Sequence, residues 1–418
     1  MNKKKMIYIT FLMIFMKGYS VEIGLEDVLN DLDQHNREIL IQDMEIESQN
    51  LEKKKQFKNM LPNASLTWDH NFVENTSEEQ NDFSLSGDDE ANIGISMPLF
   101  QGGALYNQYK KSELNKEISI QKRNLVKYNI EESAISTYFN ILNKRKQTEI
   151  RQMVQEALSK QEERLKALYR SNKMIPKSEL LKVQADLILN NSTLNRVQKE
   201  QKSEEEKLFV ILDVPFDSQI EFKEYSLDNL TLDKYNMGAD VERALKYSSK
   251  AKQEELILKN SRLDVEISKS ELYPKLDASA SYRLDNDVDD DETEYQVSLV
   301  ASWEIFSWGS TVDNIKQKKI NYNQAMVNHE NAMDLIALEV RDQYRQLEIL
   351  HEEVYSQKTN MELEEENIRI DKLRYENGII TTYDFLDSIN RLSSAQSRYF
   401  TLQRDLILAM RVYENLLR

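Results

Sequence analysis

From Ser310 to Arg374 the chain contains neither proline nor glycine. A helix over that stretch would be on the order of 100 Å long, and a domain of this size cannot wrap such a helix in a globular core. One apolar seam recurs through it every seven residues: Met326, Met333, Val340, Leu347, Val354, Met361, Ile368 and Tyr375. After Gly378 the apolar steps alternate between four and three, through Leu392, Ala395, Tyr399, Leu402, Leu406, Ala409, Tyr413 and Leu416. This is coiled-coil spacing. Dense charge separates the seams, as in Glu362-Leu363-Glu364-Glu365-Glu366. Each helix should therefore meet its neighbours along an edge and keep a wide wet face. A solid bundle or a simple rod has the same periodicity.

Breakers are scarce, with Gly 9 and Pro 5 in 418 residues, and their positions recur. Leu99-Phe100-Gln101-Gly102-Gly103 matches Ile305-Phe306-Ser307-Trp308-Gly309. At the same offset, Leu168-Tyr169-Arg170-Ser171-Asn172 matches Arg374-Tyr375-Glu376-Asn377-Gly378. Pro62 and Pro274 open similar segments. The pattern predicts two repeats, 21–213 and 239–418, joined by a connector at 214–238. Each repeat reads helix, strand, loop, strand, long helix, tip turn, helix. The strands are expected at about 64–74, 91–99, 276–284 and 295–303, and the tip turns at 169–178 and 375–383.

The strands alternate as membrane strands should. Leu66, Trp68 and Phe72 alternate with polar residues in the first, and Ile93 and Ile95 in the second. Tyr282 and Leu284 share a face of the third; Tyr295, Val297, Leu299 and Trp303 share a face of the fourth. Each strand is about 9–11 residues, enough for a tilted bilayer crossing. Trp68, Tyr282, Tyr295 and Trp303 are placed to form interfacial girdles. An ordinary soluble sheet with one wet face shows the same alternation. The segments between paired strands, Glu74–Glu90 and Asp285–Glu294, are rich in carboxylates and expected to be hydrated loops. Four strands cannot close a barrel, because small barrels need about eight. Unpaired strand edges in lipid cost several kcal/mol per group, so membrane strands from such a chain must be pooled among copies, most simply by cyclic symmetry.

Residues 1–20 read as a secretory signal: Asn2-Lys3-Lys4-Lys5, an apolar run from Met6 to Met16, and Gly18-Tyr19-Ser20 at the cleavage position. The absence of cysteine excludes disulfides and a lipid-modified N-terminal Cys. A net charge of −17 makes nucleic acid a poor partner. No phosphate loop, nucleophile elbow or His-x-x-x-His pair is present, so neither an enzyme nor a cofactor or metal site is expected. The 14 Met residues are scattered or sit in the seams, as core filling does.

The order of elements, the doubled Pro-strand-loop-strand pattern and the tip motif Tyr375-Glu376-Asn377-Gly378, followed by Thr381-Thr382-Tyr383-Asp384-Phe385-Leu386-Asp387, resemble the TolC-like outer membrane efflux protein family over about residues 22–418. That resemblance implies a mainly α protein with a membrane β-barrel. In it, a long coiled-coil helical barrel is continuous with a 12-stranded β-barrel pooled from three subunits, four strands each. It implies a homotrimer in the outer membrane of a Gram-negative-type bacterium, extending into the periplasm. Such a protein is a passive exit duct served by a periplasmic adaptor and an inner-membrane pump. Asp384 and Asp387 match the acidic positions that ring the periplasmic entrance, and Tyr375 matches a position that latches the tip closed. Ile380 stands where the family's basic latch residue falls. Helix capping after Thr382 is the competing role for Asp384. A periplasmic coiled-coil scaffold or adaptor is the competing reading of the whole chain.

Overall fold

A computed structural model describes residues 21–75, 84–172, 176–225, 232–284 and 295–418; for 21, 70–75, 84–90, 172 and 284 it describes the backbone alone. The expected signal at 1–20, the acidic segment 285–294 and part of the first tip turn lie outside the described residues. The elements run β1 (Val21–Ile23), α1 (Leu25–His35), α2 (Arg37–Lys58), β2 (Asn63–Asn75), β3 (Ser84–Gln101), α3 (Ala104–Asn172) and α4 (Lys177–Leu212). They continue with β4 (Ile220–Phe222), α5 (Met237–Tyr247), α6 (Ser249–Lys269), β5 (Lys275–Leu284), β6 (Tyr295–Ser302), α7 (Ser310–Glu376) and α8 (Thr382–Leu416). The order α2-β2-β3-α3-α4 thus recurs as α6-β5-β6-α7-α8. Two compact units divide the chain: residues up to 41 with 123–250 and 335–418, and residues 42–122 with 251–334.

The second of these units holds a four-stranded antiparallel sheet in the order β2-β3-β5-β6. β3 and β5 pair across the repeats, Ile93 opposite Tyr282 and Ile95 opposite Ala280. The helical segments beside the sheet are tied by polar contacts. Lys53 Nζ lies 2.6 Å from Glu113 Oε1, and Lys111 pairs with Asp264. β2 and β3, at 13 and 18 residues, exceed the 9–11 expected. Part of the segment expected as an acidic loop is strand: Asp88, Asp89 and Glu90 pair with Asn71, His70 and Asp69. A continuing backbone ladder overrides the polarity of those residues, which charge patterning alone cannot reveal.

Each half enters its long helix through two consecutive residues of positive φ: Gly102 (60°) and Gly103 (85°) in the first, Trp308 (53°) and Gly309 (85°) in the second. A Cβ on Gly102 would stand 2.4 Å from the Ser270 carbonyl oxygen. Only glycine fits that turn. Trp308, 91% exposed, meets no such crowding and tolerates the same region at a cost of about 1 kcal/mol.

In the other unit the seam residues Val340, Leu347, Val354 and Ile368 of α7 are buried, as are Leu392, Ala395, Tyr399, Leu402, Leu406, Ala409 and Tyr413 of α8. Met326, in the stretch of α7 that belongs to the sheet-bearing unit, is exposed. A two-stranded parallel sheet, β1 with β4, also forms here. Tyr138, buried beneath it, donates to the Lys223 carbonyl at 2.6 Å, and burial raises its phenol to about 12. Neither strand was expected, because three residues carry no readable alternation.

Tyr413 is fully buried and donates to Asp240 Oδ2 at 2.8 Å, with the Tyr235 ring edge-on at 4.9 Å. Tyr413→Phe is expected to cost about 1–2 kcal/mol by stripping the half-buried Asp240 carboxylate of a donor, read as a lower thermal midpoint.

Candidate functional site: the sheet face and the helical tip

In-register pairing puts opposed residues on the same side of the sheet, so the two faces can be assigned residue by residue. One face carries the rows Leu66–Ile93–Tyr282–Tyr295, Ala64–Ile95–Ala280–Val297 and Met97–Ala278–Leu299. The other carries Ser65–Gly94–Ser281–Gln296 and Asn63–Ser96–Ser279–Ser298, with Pro98 and Val300 as apolar members of the next row. The apolar face is uncovered in the chain: Leu66 is 69% exposed, Val297 81% and Tyr295 80%. Ile93, Ile95, Trp68, Tyr282 and Leu299 are exposed with them. The side chains of Phe72 and Leu284 lie outside those described. Trp68 sits at the loop end of the face. Trp303, just past the other end of β6, is held by its indole N–H, which donates to the Leu272 carbonyl at 3.1 Å. From Tyr295 to Trp303 a strand covers about 27 Å, or about 20 Å in projection at the tilt of membrane strands.

The second region is the turn between α7 and α8. Gly378, at φ 70°, ends α7 in a Schellman motif: Ile379 N–H donates to the Arg374 carbonyl at 2.8 Å and Gly378 N–H to the Tyr375 carbonyl at 3.0 Å. Tyr375 stacks on Phe385 at 4.9 Å and 7°, so it clamps the start of α8 within the same chain. Beneath lies an apolar core of Val154, Leu158, Leu165, Val183, Leu187, Ile389 and Leu392, against which Ile380 packs. Ile380 is thus part of the packing where a basic latch residue was considered. Lys182 Nζ stands 4.3 Å from the Tyr383 ring centre, joining α4 to α8.

The two acidic residues of the tip are not equivalent. Asp384 closes a capping box: the Thr381 backbone N–H and hydroxyl both donate to its Oδ2, at 2.9 and 2.7 Å, and its own N–H donates back to Thr381 Oγ1. The cap is Thr381, one residue before the Thr382 that the sequence suggested. The Thr381 donors hold the Asp384 carboxyl below the usual carboxylate range, so it is charged at neutral pH. Asp387 pairs with Arg391, Nη1 to Oδ2 at 2.5 Å. Arg391 also faces Glu364 and Asp371 on α7, at 3.6 and 3.9 Å. The sequence reading missed Arg391. The trace in the sequence is slight: Glu364 and Asp371 fall seven apart in α7, on the column that also carries the buried Leu350, but nothing local points from them to Arg391.

No helix among the described residues is long and apolar enough to cross a membrane. Among them, no group of three or more His, Cys, Asp and Glu is arranged to hold a metal ion.

Solved structures share this fold over nearly the whole chain. The outer membrane channel CmeC of Campylobacter jejuni aligns at a TM-score of 0.76 and 14% identity, covering 94% of this chain and 85% of that one. The open-state outer membrane channel MtrE of Neisseria gonorrhoeae aligns at 0.70 and 15%, covering 94% and 88%. The outer membrane protein VceC of Vibrio cholerae aligns at 0.69 and 13%, covering 94% and 95%. Comparison with curated proteins gives no match. The chain thus shares the fold of these outer membrane channels. Residues 241–411 match the model of the outer membrane efflux protein family. Over that stretch, less than half of its length, the chain is similar to the family.

Proposed function

We propose that the chain is one of three identical protomers of a passive outer-membrane duct for efflux or secretion. The observation that carries this reading is the sheet: among the described residues, one face is a registered apolar surface with nothing over it, and β2 and β6 are both open edges. In water such a face is an aggregation hazard, and in lipid such edges are too costly to leave unpaired. Three copies remove both problems at once, by joining β6 of one to β2 of the next in a closed ring of twelve strands. Leu66, Trp68, Phe72, Ile93, Ile95, Tyr282, Leu284, Tyr295, Val297, Leu299 and Trp303 then face lipid, and the serine-rich face lines the lumen. The coiled-coil helices form a tunnel through the periplasm, where an adaptor and an inner-membrane pump supply the cargo and the energy. The recurrence of α2-β2-β3-α3-α4 as α6-β5-β6-α7-α8, with paired positive φ at matching positions, favours an old duplication of 21–213 into 239–418 around the connector 214–238.

Under this reading the α7–α8 turn is the periplasmic gate, with Asp384 and Asp387 from three copies around a narrow entrance and Tyr375 and Gly378 shaping the turn. Converging carboxylates create a negative potential that favours cations and admits a blocking divalent ion. Asp384→Ala with Asp387→Ala is expected to weaken magnesium block in planar bilayers by tenfold or more; unchanged block in the double variant removes the gate from the proposal.

Extraction tests the whole reading. The mature protein should require detergent, run as a trimer and conduct ions in bilayers. A water-soluble monomer without conductance would instead fit a periplasmic scaffold and overturn the duct.

A further inference from the structure

The side chain of Arg391 is tied on three sides. Its Nη1 meets Asp387 Oδ2 at 2.5 Å, its Nε lies 3.6 Å from Glu364 Oε2, and its Nη2 donates to Ser388 Oγ at 3.0 Å. Ser388, 1% exposed, donates in turn to Asp371 Oδ2 at 2.5 Å, and Asp371 Oδ1 takes Arg374 at 3.0 Å. Glu364 Oε2 is buried with no hydrogen bond of its own, so Arg391 is its counter-charge. The Asp387 side chain, by contrast, is 66% exposed and opens with Glu364, Asn390 and Arg391 onto a groove of about 500 Å³. A surface ion pair of two free side chains contributes little, because both must be immobilised. Here the guanidinium is already anchored by the α7 carboxylates and Ser388, so pairing with Asp387 fixes one side chain instead of two.

We propose that Arg391 sets how tightly the tip holds cations, by competing with them for the carboxylate of Asp387. Asp384, whose Oδ2 carries both Thr381 donors, then presents Oδ1 as the open ligand of the pair. Arg391 is a positioning residue: it decides the charge and direction that Asp387 shows, without itself holding the ion. This inference rests on the gate reading above.

The test is a magnesium titration of single-channel conductance in planar bilayers. Arg391→Gln is expected to tighten block about three- to tenfold, while Arg391→Lys, which keeps the charge, stays near the parent. Asp387→Asn with Arg391→Gln should fall back to the weak block of Asp387→Asn alone, a non-additivity that general loosening of the tip does not produce. Asp387→Asn alone should weaken block less than Asp384→Asn, a comparison that leaves Arg391 in place. Should Arg391→Gln fail to assemble, Arg391→Gln with Glu364→Gln, which neutralises the stranded carboxylate, carries the same comparison. Unchanged or weaker block in Arg391→Gln, at normal conductance without magnesium, overturns the inference. If the Asp384→Ala, Asp387→Ala double variant leaves block untouched, the gate reading itself has failed; if that variant weakens block and Arg391→Gln changes nothing, only the role of Arg391 has.

Discussion

Leu299→Arg is expected to abolish assembly of the duct, whereas Ser298→Arg, one residue away, should assemble and conduct. Leu299 lies midway between Tyr295 and Trp303 on the apolar face, opposite Ala278, and is 66% exposed in the chain. In lipid that position falls near the bilayer midplane, where an arginine costs about 2–4 kcal/mol, and symmetry repeats the cost in every copy. Ser298, opposite Ser279, points to the other face, where a charge is hydrated. Heat-resistant oligomer on gels after folding into liposomes reads both variants. Equal loss in the two would mean that strand disruption, not lipid exposure, is responsible. Equal tolerance would mean that the apolar face does not meet lipid.

Among the described glycines, Gly102→Ala is expected to be the most damaging change to alanine. The added Cβ meets the Ser270 carbonyl oxygen at 2.4 Å, a backbone atom that cannot swing aside, and φ is 60°. Left-handed strain of about 1 kcal/mol adds to a forced shift of the β3–α3 turn against the short helical turn at Ser270–Leu272. A total of roughly 3 kcal/mol or more follows. Gly378→Ala is the control: its φ is 70°, but nothing lies within 4 Å, so only the strain of about 1 kcal/mol remains. Thermal unfolding in detergent should separate the two clearly; similar midpoints would show that the turn yields where the close approach says it cannot.

Much of this arrangement was readable from periodicity, because the physics that makes it is local. Steps of four and three place Leu392 through Tyr413 on one stripe of a helix whatever it packs against, and those residues are buried. Alternation in 295–303 assigns Val297 and Leu299 to one side of a strand before its partner is known. The Asp384 cap was half legible: a carboxylate three residues after a threonine suggests a capping box, yet the neighbouring Thr382 made the register ambiguous.

Other features depend on residues far apart in sequence. Pairing of β3 with β5 joins the repeats, and alternation does not name a partner strand. β1 and β4 are three residues each and exist only because their neighbours bury them. The acidic residues 88–90 pair as strand because a ladder already running beside them continues. Arg391 reads from sequence as an ordinary helical charge one turn beyond Asp387 and Ser388, and only the packing of α7 against α8 brings Glu364 and Asp371 to it. Sequence alone therefore determined which side of each helix and strand is apolar, since side-chain direction follows from backbone period. Tertiary structure alone decided that Glu364 and Asp371 of α7 face Arg391 of α8, since a charge's energy depends on what stands within a few ångströms of it, and for those carboxylates that neighbour comes from another helix.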